Sequence, residues 1–125
     1  MKCKTLVVDD SSLARRMSRR ILEELGHDVE EASDGAQALE LYALNQYDLI
    51  ILDMVMHGMY GLEVLTKLRQ LNPAARVIVV TADIQRSTRD QVQAAGAAAM
   101  VNKPLNKEEL AEVLSVVQNG GTTWN

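Results

Sequence analysis

Five polar side chains stand at, or within two residues of, the carboxyl ends of short apolar runs. They are Asp9, Asp10, Asp53, Thr81 and Lys103. Three carboxylates gathered in one place repel one another and raise the pKa of at least one of them, unless a cation neutralises their charge. Their oxygens select Mg²⁺, Mn²⁺ or Ca²⁺, and Mg²⁺ characteristically combines one or two carboxylates with water and a phosphate oxygen. These residue types therefore indicate phosphoryl transfer to an aspartate, with a lysine and a threonine as partners of the phosphoryl group.

Short β-like runs alternate with longer helix-like runs along the chain, which predicts an α/β fold with a parallel sheet. We expect five strands, at Thr5–Val8, Val29–Ala32, Leu49–Leu52, Val77–Val80 and Ala98–Val101. In open doubly wound sheets, ligands bind at the carboxyl edge where the strand order reverses. By analogy with proteins of order 2-1-3-4-5, the reversal lies between the first and third strands, so that Asp9, Asp10 and Asp53 surround one crevice. Acids are also common as helix caps, but that explanation does not account for all five residues together.

The helices are indicated by their caps as well as by apolar spacing. Asp34 with Gln37, and Asn106 with Glu109, are typical of capping boxes that open helices. Gly26 stands where a left-handed residue would end the first helix. We expect one domain over residues 1–118, followed by a disordered tail over residues 119–125.

Length and composition set the class of protein. The chain has 125 residues, of which 47% are hydrophobic and 24% charged, as in a globular domain. No apolar run is long enough for a membrane span, and no secretory signal is recognisable, so we expect a cytoplasmic protein. The net charge of −4 argues against nucleic acid as a partner. Cys3 is the single cysteine, which agrees with a reducing compartment.

The sequence resembles the response-regulator receiver family, from about Thr5 to Val117. The matching segments are VVDDS (Val7–Ser11), DLIILDMVM (Asp48–Met56), GLEVL (Gly61–Leu65), VIVVTA (Val77–Ala82) and NKPL (Asn102–Leu105). The resemblance implies a flavodoxin-like (CheY-like) fold of three α/β/α layers. It also implies a phospho-acceptor switch of a two-component system that is not an enzyme in the ordinary sense, although it promotes its own phosphorylation and dephosphorylation.

The resemblance assigns roles to the strand-end residues. Asp53 would accept a phosphoryl group from a sensor histidine kinase or a phosphotransfer domain. Asp10 and Asp53 would bind Mg²⁺, or Mn²⁺, through their side chains, Val55 through its backbone carbonyl, and Asp9 partly through water.

The remaining roles concern the response to phosphorylation. Thr81 would move toward the phosphoryl group, Lys103 would pair with it, and the bond from Lys103 to Pro104 would be cis. Because we expect a stand-alone receiver with no output domain, its message would pass to an unknown downstream protein by direct contact.

The sequence departs from the family pattern in three ways. Met100 stands where the family usually has Tyr or Phe, so the usual aromatic switch is missing. His57 and Gly58 replace a loop that commonly contains proline, which predicts a more mobile loop with a solvent-facing histidine. Val55 replaces a residue that is often polar, so its side chain cannot position an attacking water.

Two other functions fit parts of the pattern. A phosphatase or phosphotransferase of the haloacid-dehalogenase type also uses an aspartyl nucleophile with Mg²⁺, but that family has Asp-x-Asp, whereas here the first strand ends in Asp9-Asp10-Ser11. A degenerate receiver could act as an interaction module without phosphorylation, but it would lack the acceptor or the lysine.

The first helix carries a dense basic stretch of four arginines, at Arg15, Arg16, Arg19 and Arg20. Glu23 and Glu24 follow Arg19 and Arg20 at four-residue spacing. We therefore expect a solvated, salt-bridged face rather than a binding surface for an acidic partner.

Overall fold

The computed structural model describes residues 3–56, 58, 60–82 and 85–124 of the chain. Strands and helices alternate through these residues. In order they are β1 (Lys4–Val8), α1 (Ser12–Glu24), β2 (Asp28–Ala32), α2 (Gly35–Leu44), β3 (Leu49–Asp53), α3 (Gly61–Leu71), β4 (Val77–Thr81), α4 (Arg86–Ala94), β5 (Ala99–Asn102) and α5 (Lys107–Gln118). Each of the five predicted strands is confirmed to within one residue at either end.

All neighbouring strands run parallel, in the order β2-β1-β3-β4-β5. The predicted α/β fold and strand order are therefore confirmed. The order reverses between β1 and β3, where Val8 is level with Leu52. One step further across the sheet, Asp53 is level with Val80. This register brings the residues that follow β1, β3 and β4 to one edge.

The sheet separates two apolar cores, because successive strand residues point to opposite faces. On one face Leu6, Ile50 and Val79 pack with side chains of α2, α3 and α4. On the other face Val7 and Ile51, with their neighbours, pack against α1 and α5. Strands covered on both faces explain the continuous apolar runs of β3 and β4, all of whose residues are buried. The polar residues Asp53 and Thr81 stand at the carboxyl ends of these two strands, where chemistry is possible.

The predicted helix signals are confirmed. The Asp34 side chain accepts a hydrogen bond from the Gln37 backbone N–H (2.8 Å), which opens α2. Asn106 does the same for the Glu109 N–H (3.0 Å) at the start of α5. Gly26, just after α1, has a φ of 91°, a conformation that only glycine adopts without strain.

The segment after α5 makes defined contacts. The Thr123 N–H donates to the Ala98 carbonyl (3.1 Å), and the indole N–H of Trp124 donates to the Ala97 carbonyl (2.7 Å). The Arg89 guanidinium of α4 lies 5.2 Å from the centroid of the Trp124 ring. Disorder of residues 119–125 stays a prediction, and these contacts argue against it for the part that the structure describes.

None of the helices in the described residues is both long enough and apolar enough to span a membrane.

Candidate functional site

The carboxyl edge of the sheet gathers three aspartates. Asp9 and Asp10 follow β1, Asp53 ends β3, and one oxygen of each lies within 4.8 Å of the others. Asp9 and Asp53 are buried, and Asp10 is partly exposed. Buried carboxylates this close together need a positive charge beside them.

Lys103 supplies that charge from the loop after β5. Its Nζ lies 3.1 Å from Asp53 Oδ1 and 3.3 Å from Asp9 Oδ2. Burial disfavours the ammonium, but the hydrogen bonds and charges of Asp53 and Asp9 outweigh it and raise the pKa of Lys103. The lysine is therefore charged at neutral pH and bridges the ends of β1 and β3.

Burial also raises the pKa of Asp53, and the negative charge of Asp9 adds to that effect. Hydrogen bonds from the Lys103 side chain and the Val55 backbone N–H act in the opposite direction but do not cancel it. The Asp53 carboxylate is thus poorly solvated and held by two donors. A further cation at this cluster would stabilise its charged form.

Thr81 ends β4 beside this cluster and is buried. Its carbonyl accepts a hydrogen bond from the Lys103 backbone N–H (2.9 Å), so the threonine and the lysine are coupled through the main chain. The Lys103–Pro104 bond is cis, as the resemblance to receivers implies. The Val55 side chain is 63% exposed, so it contributes little to enclosing the site.

Gly61, at the start of α3, closely approaches the backbone at the end of β3. The Gly61 N–H donates to the Met54 carbonyl (2.9 Å). A Cβ at position 61 would lie 2.6 Å from the Asp53 carbonyl oxygen and 2.7 Å from the Met54 Cα. Only glycine allows α3 to begin this close to the acceptor strand. His57 lies outside the described residues, so its predicted exposure and the mobility of its loop are not tested.

Arg15 was missed as a site neighbour by the sequence pattern. The predicted ion pairs of α1 are confirmed, with Arg19 Nε 3.3 Å from Glu23 and Arg20 Nε 3.8 Å from Glu24. Arg15, in contrast, is largely buried and its Nη1 donates to the Asp9 carbonyl at 2.6 Å. Four-residue spacing identifies neighbours along a helix, but it does not tell which side chain reaches the edge of the sheet.

The acidic cluster fits a divalent cation. Two oxygens bound to one Mg²⁺ are at most about 4.2 Å apart, twice the metal–oxygen distance, so small side-chain movements would suffice. Both oxygens of Asp9 already accept hydrogen bonds, from the Ser11 N–H (2.9 Å) and from Lys103 (3.3 Å). The all-oxygen donor set suits Mg²⁺ or Mn²⁺.

Comparison with known proteins identifies the family. The response regulator receiver domain profile matches residues 5–115. The chain belongs to this family. Receiver domains take phosphate from histidine kinases and act as phospho-acceptor switches rather than as classical enzymes.

Individual relatives support the assignment. This receiver domain is 32% identical to the chemotaxis protein CheY of Halobacterium salinarum, over 94% of this chain and 98% of that protein. It is 37% identical to the sensor protein EvgS of Escherichia coli over 91% of this chain, and spans only about a tenth of EvgS (10%). The structure of the chemotaxis protein CheY4 of Vibrio cholerae has a TM-score of 0.86 and 31% identity, and the match covers 92% of this chain and 98% of that one. The fold is therefore CheY-like.

Met100, the predicted departure from the family pattern, is a residue of the last strand. The side chain lies on β5, level with Val79, and packs partly buried against the core that faces α2, α3 and α4. A flexible thioether in this place fills space without a ring or a hydroxyl.

Proposed function

We propose that this receiver is phosphorylated on Asp53 and that the phosphoryl group changes its affinity for a downstream protein. The observation that carries the proposal is the Lys103 ammonium, which lies 3.1 Å and 3.3 Å from two buried carboxylates, those of Asp53 and Asp9, that cluster with the carboxylate of Asp10. A structural ion pair needs one carboxylate, whereas a phosphoryl site needs an acceptor, a cation and oxygen ligands for a metal.

Asp53 is the proposed nucleophile because it ends the central strand, with its carboxylate 3.1 Å from the Lys103 ammonium and one oxygen within 4.8 Å of an Asp10 oxygen. One of its oxygens forms a bond to phosphorus while the bond from phosphorus to the donor histidine nitrogen breaks, and the imidazole leaves with the electron pair. Asp10, Asp53 and the Val55 carbonyl would hold Mg²⁺, with Asp9 contributing through water. The metal would offset the negative charge of the carboxylate and the incoming phosphoryl group.

Lys103 would then respond to the new charge. Phosphorylation replaces one negative charge on Asp53 by nearly two, placed further out, so the ammonium is drawn toward the phosphoryl oxygens. Its backbone N–H donates a hydrogen bond to the Thr81 carbonyl, so a shift of the lysine would move the ends of β4 and β5 together. The Thr81 hydroxyl is the second proposed donor to the phosphoryl group. The result would be a population shift between two arrangements of these strands and their helices.

Partners and setting follow from this proposal. The donor would be a sensor histidine kinase or a phosphotransfer domain, and a separate protein would receive the signal, with the receiver acting in the cytoplasm. Hydrolysis of the aspartyl phosphate would take place at the same site. The apolar Val55 side chain can offer no hydrogen bond to the attacking water, which predicts a long-lived phosphorylated state.

Incubation with acetyl phosphate tests the proposal. In the presence of Mg²⁺ the intact mass should increase by one phosphoryl group, and the increase should disappear with excess EDTA and in Asp53→Asn. Unchanged mass of the wild type would leave a phosphorylation-independent interaction module as the better account. Continuous turnover of phosphate esters that requires Asp10 would favour a phosphatase.

A further inference from the structure

Arg15 makes two contacts that none of the other arginines of α1 combines. Its Nη1 donates to the carbonyl oxygen of Asp9 at 2.6 Å, and its Nε donates to Glu31 Oε1 at 3.0 Å. Its side chain is 17% exposed, compared with 40% for Arg19, the other arginine that pairs with Glu31. The guanidinium thus joins the backbone of Asp9, directly after β1, to the Glu31 side chain of β2.

The contact completes the anchoring of Asp9. The Asp9 N–H donates to the Ala32 carbonyl (3.2 Å), and its two carboxylate oxygens accept from the Ser11 N–H and Lys103. The Asp9 carbonyl is the remaining polar group, and Arg15 is its donor. Every polar group of this residue therefore has a partner in the fold.

The Asp9 carbonyl also belongs to the peptide unit that joins Asp9 to Asp10. A peptide unit is planar, so a hydrogen bond to its oxygen fixes the plane from which the next Cα and its side chain depart. The Asp10 carboxylate has an oxygen within 4.8 Å of those of Asp9 and Asp53. Holding the peptide plane therefore holds the direction in which Asp10 approaches the cluster.

Arginine is suited to this task because its planar guanidinium donates in two fixed directions at once. Glu31 keeps the group oriented, and Glu31 itself is held by Arg19 Nη1 at 2.8 Å. A lysine at position 15 would offer one ammonium group in place of the fork. It would not hold the Asp9 carbonyl and Glu31 in the same geometry.

We propose that Arg15 is a positioning residue of the metal site, which keeps the Asp10 carboxylate in place through the backbone of Asp9. The proposal rests on the proposed function, because it assumes that Asp10 binds Mg²⁺. Arg15 itself touches neither the metal nor the phosphoryl group. Its effect should appear in metal affinity before any phosphorylation takes place.

Arg19 provides the matched control. It lies one turn further along α1 and pairs with the same glutamate, but among the described residues its side-chain hydrogen bonds go to Glu23 and Glu31 and not to Asp9. A role of Arg15 limited to stabilising α1 and β2 would make Arg15→Gln and Arg19→Gln differ only in their free energies of unfolding. A positioning role would separate the two variants in Mg²⁺ affinity.

The experiment is isothermal titration calorimetry of the full chain with Mg²⁺ and no phosphate donor, beside urea unfolding of the same metal-free proteins. The variants are Arg15→Gln, Arg15→Lys, Arg19→Gln and Asp10→Asn. Loss of an outer-shell partner weakens metal binding by about 10- to 100-fold, so we expect Arg15→Gln to bind Mg²⁺ at least about tenfold more weakly than the wild type. Arg19→Gln should stay within about twofold, and Arg15→Lys should not restore the affinity.

The failures are distinguishable. If the wild type binds Mg²⁺ through Asp10 and Arg15→Gln binds it equally well, the positioning role is wrong and the proposed function stands. An equal loss in Arg19→Gln would also refute it, because the effect would then belong to the helix as a whole. If the wild type does not bind Mg²⁺, or Asp10→Asn binds it unchanged, the proposed metal site fails and the inference with it. Should Arg15→Gln not fold, Arg15→Lys takes its place, with the same tenfold loss expected and wild-type affinity as the contradicting result.

Discussion

Replacing Lys103 by methionine, which keeps the length of the side chain but removes its charge, should destabilise the metal-free protein. Two buried carboxylates would lose the cation that lies 3.1 Å and 3.3 Å from them. At an effective dielectric constant of about 20, a pair of unit charges 3.1 Å apart attracts by about 5 kcal/mol. The cost of desolvating the ammonium is recovered on its removal, and breaking such a pair typically costs about 3–5 kcal/mol.

The Lys103 side chain is 32% exposed, which places the expected loss at the lower end of that range, about 3 kcal/mol. For a domain of this size the loss corresponds to a fall in Tm of roughly 10 °C. Urea unfolding in EDTA at neutral pH measures the loss. The matched control is Lys107→Met, because Lys107 pairs with Glu24 at 3.4 Å on the exposed surface, where a pair contributes no more than about 1 kcal/mol.

Two further arms of this experiment follow from the charge balance. Without Lys103, burial and the charge of Asp9 raise the pKa of Asp53 further above its ordinary value. Because the pKa of this carboxyl group is raised in the folded state, the folded protein loses stability as the pH rises through that pKa. The deficit of Lys103→Met should therefore shrink as the pH falls from neutral toward 5, and it should also shrink on saturation with Mg²⁺. The claim that Lys103 neutralises the buried carboxylates of Asp9 and Asp53 would be refuted by either of two results. One is a Lys103→Met protein as stable in EDTA as Lys107→Met, and the other is a loss of stability that depends on neither pH nor Mg²⁺.

Three other perturbations test separate parts of the molecule. Gly61→Ala forces a Cβ to within 2.6 Å of backbone at the end of β3, so urea unfolding should show a loss of about 2 kcal/mol or more, and a loss below about 0.5 kcal/mol would contradict the close approach. Burial lowers the pKa of His27, whose Nδ1 accepts a hydrogen bond from the Cys3 N–H. The free energy of unfolding should therefore fall as the pH drops below the ordinary histidine pKa of 6.5, by at most about 1.4 kcal/mol per pH unit. His27→Asn should remove this pH dependence, and an unchanged slope in that variant would contradict the assignment. Met100→Ala should change the beryllofluoride-dependent affinity for a bound partner by less than about 1 kcal/mol, and Thr81→Ala by more, in a titration of both variants with and without beryllofluoride. A larger effect of Met100→Ala than of Thr81→Ala would show that Met100 on β5 couples phosphorylation to partner binding, although it has no aromatic ring.

The fold could be predicted from the sequence because its strands are covered on both faces and so form continuous apolar runs. The caps at Asp34 and Asn106 are local signals, and the structure confirms both. The gathering of the three aspartates followed from the rule that parallel strands share a carboxyl edge. The strands and caps are predicted from spacing along the chain, whereas the gathering of the aspartates also needs the strand order, which is taken by analogy with proteins of order 2-1-3-4-5.

Arg15 and Gly61 could not be assigned in the same way. The role of Arg15 depends on the direction in which one side chain of α1 leaves the helix and so reaches the Asp9 carbonyl. The role of Gly61 depends on the distance between a helix start and the backbone of β3. The contacts of Trp124 likewise join residues 27 positions apart, which no local pattern encodes.

Mapping the phosphorylated residue tests the central claim most directly. The protein is phosphorylated with acetyl phosphate and Mg²⁺, the acyl phosphate is reduced with borohydride, and the modified aspartate is located by mass spectrometry of the peptides. The account predicts reduction at Asp53, abolished by EDTA, with Asp9 and Asp10 unmodified. Modification at Asp9 or Asp10, or equal labelling without a divalent cation, would contradict it.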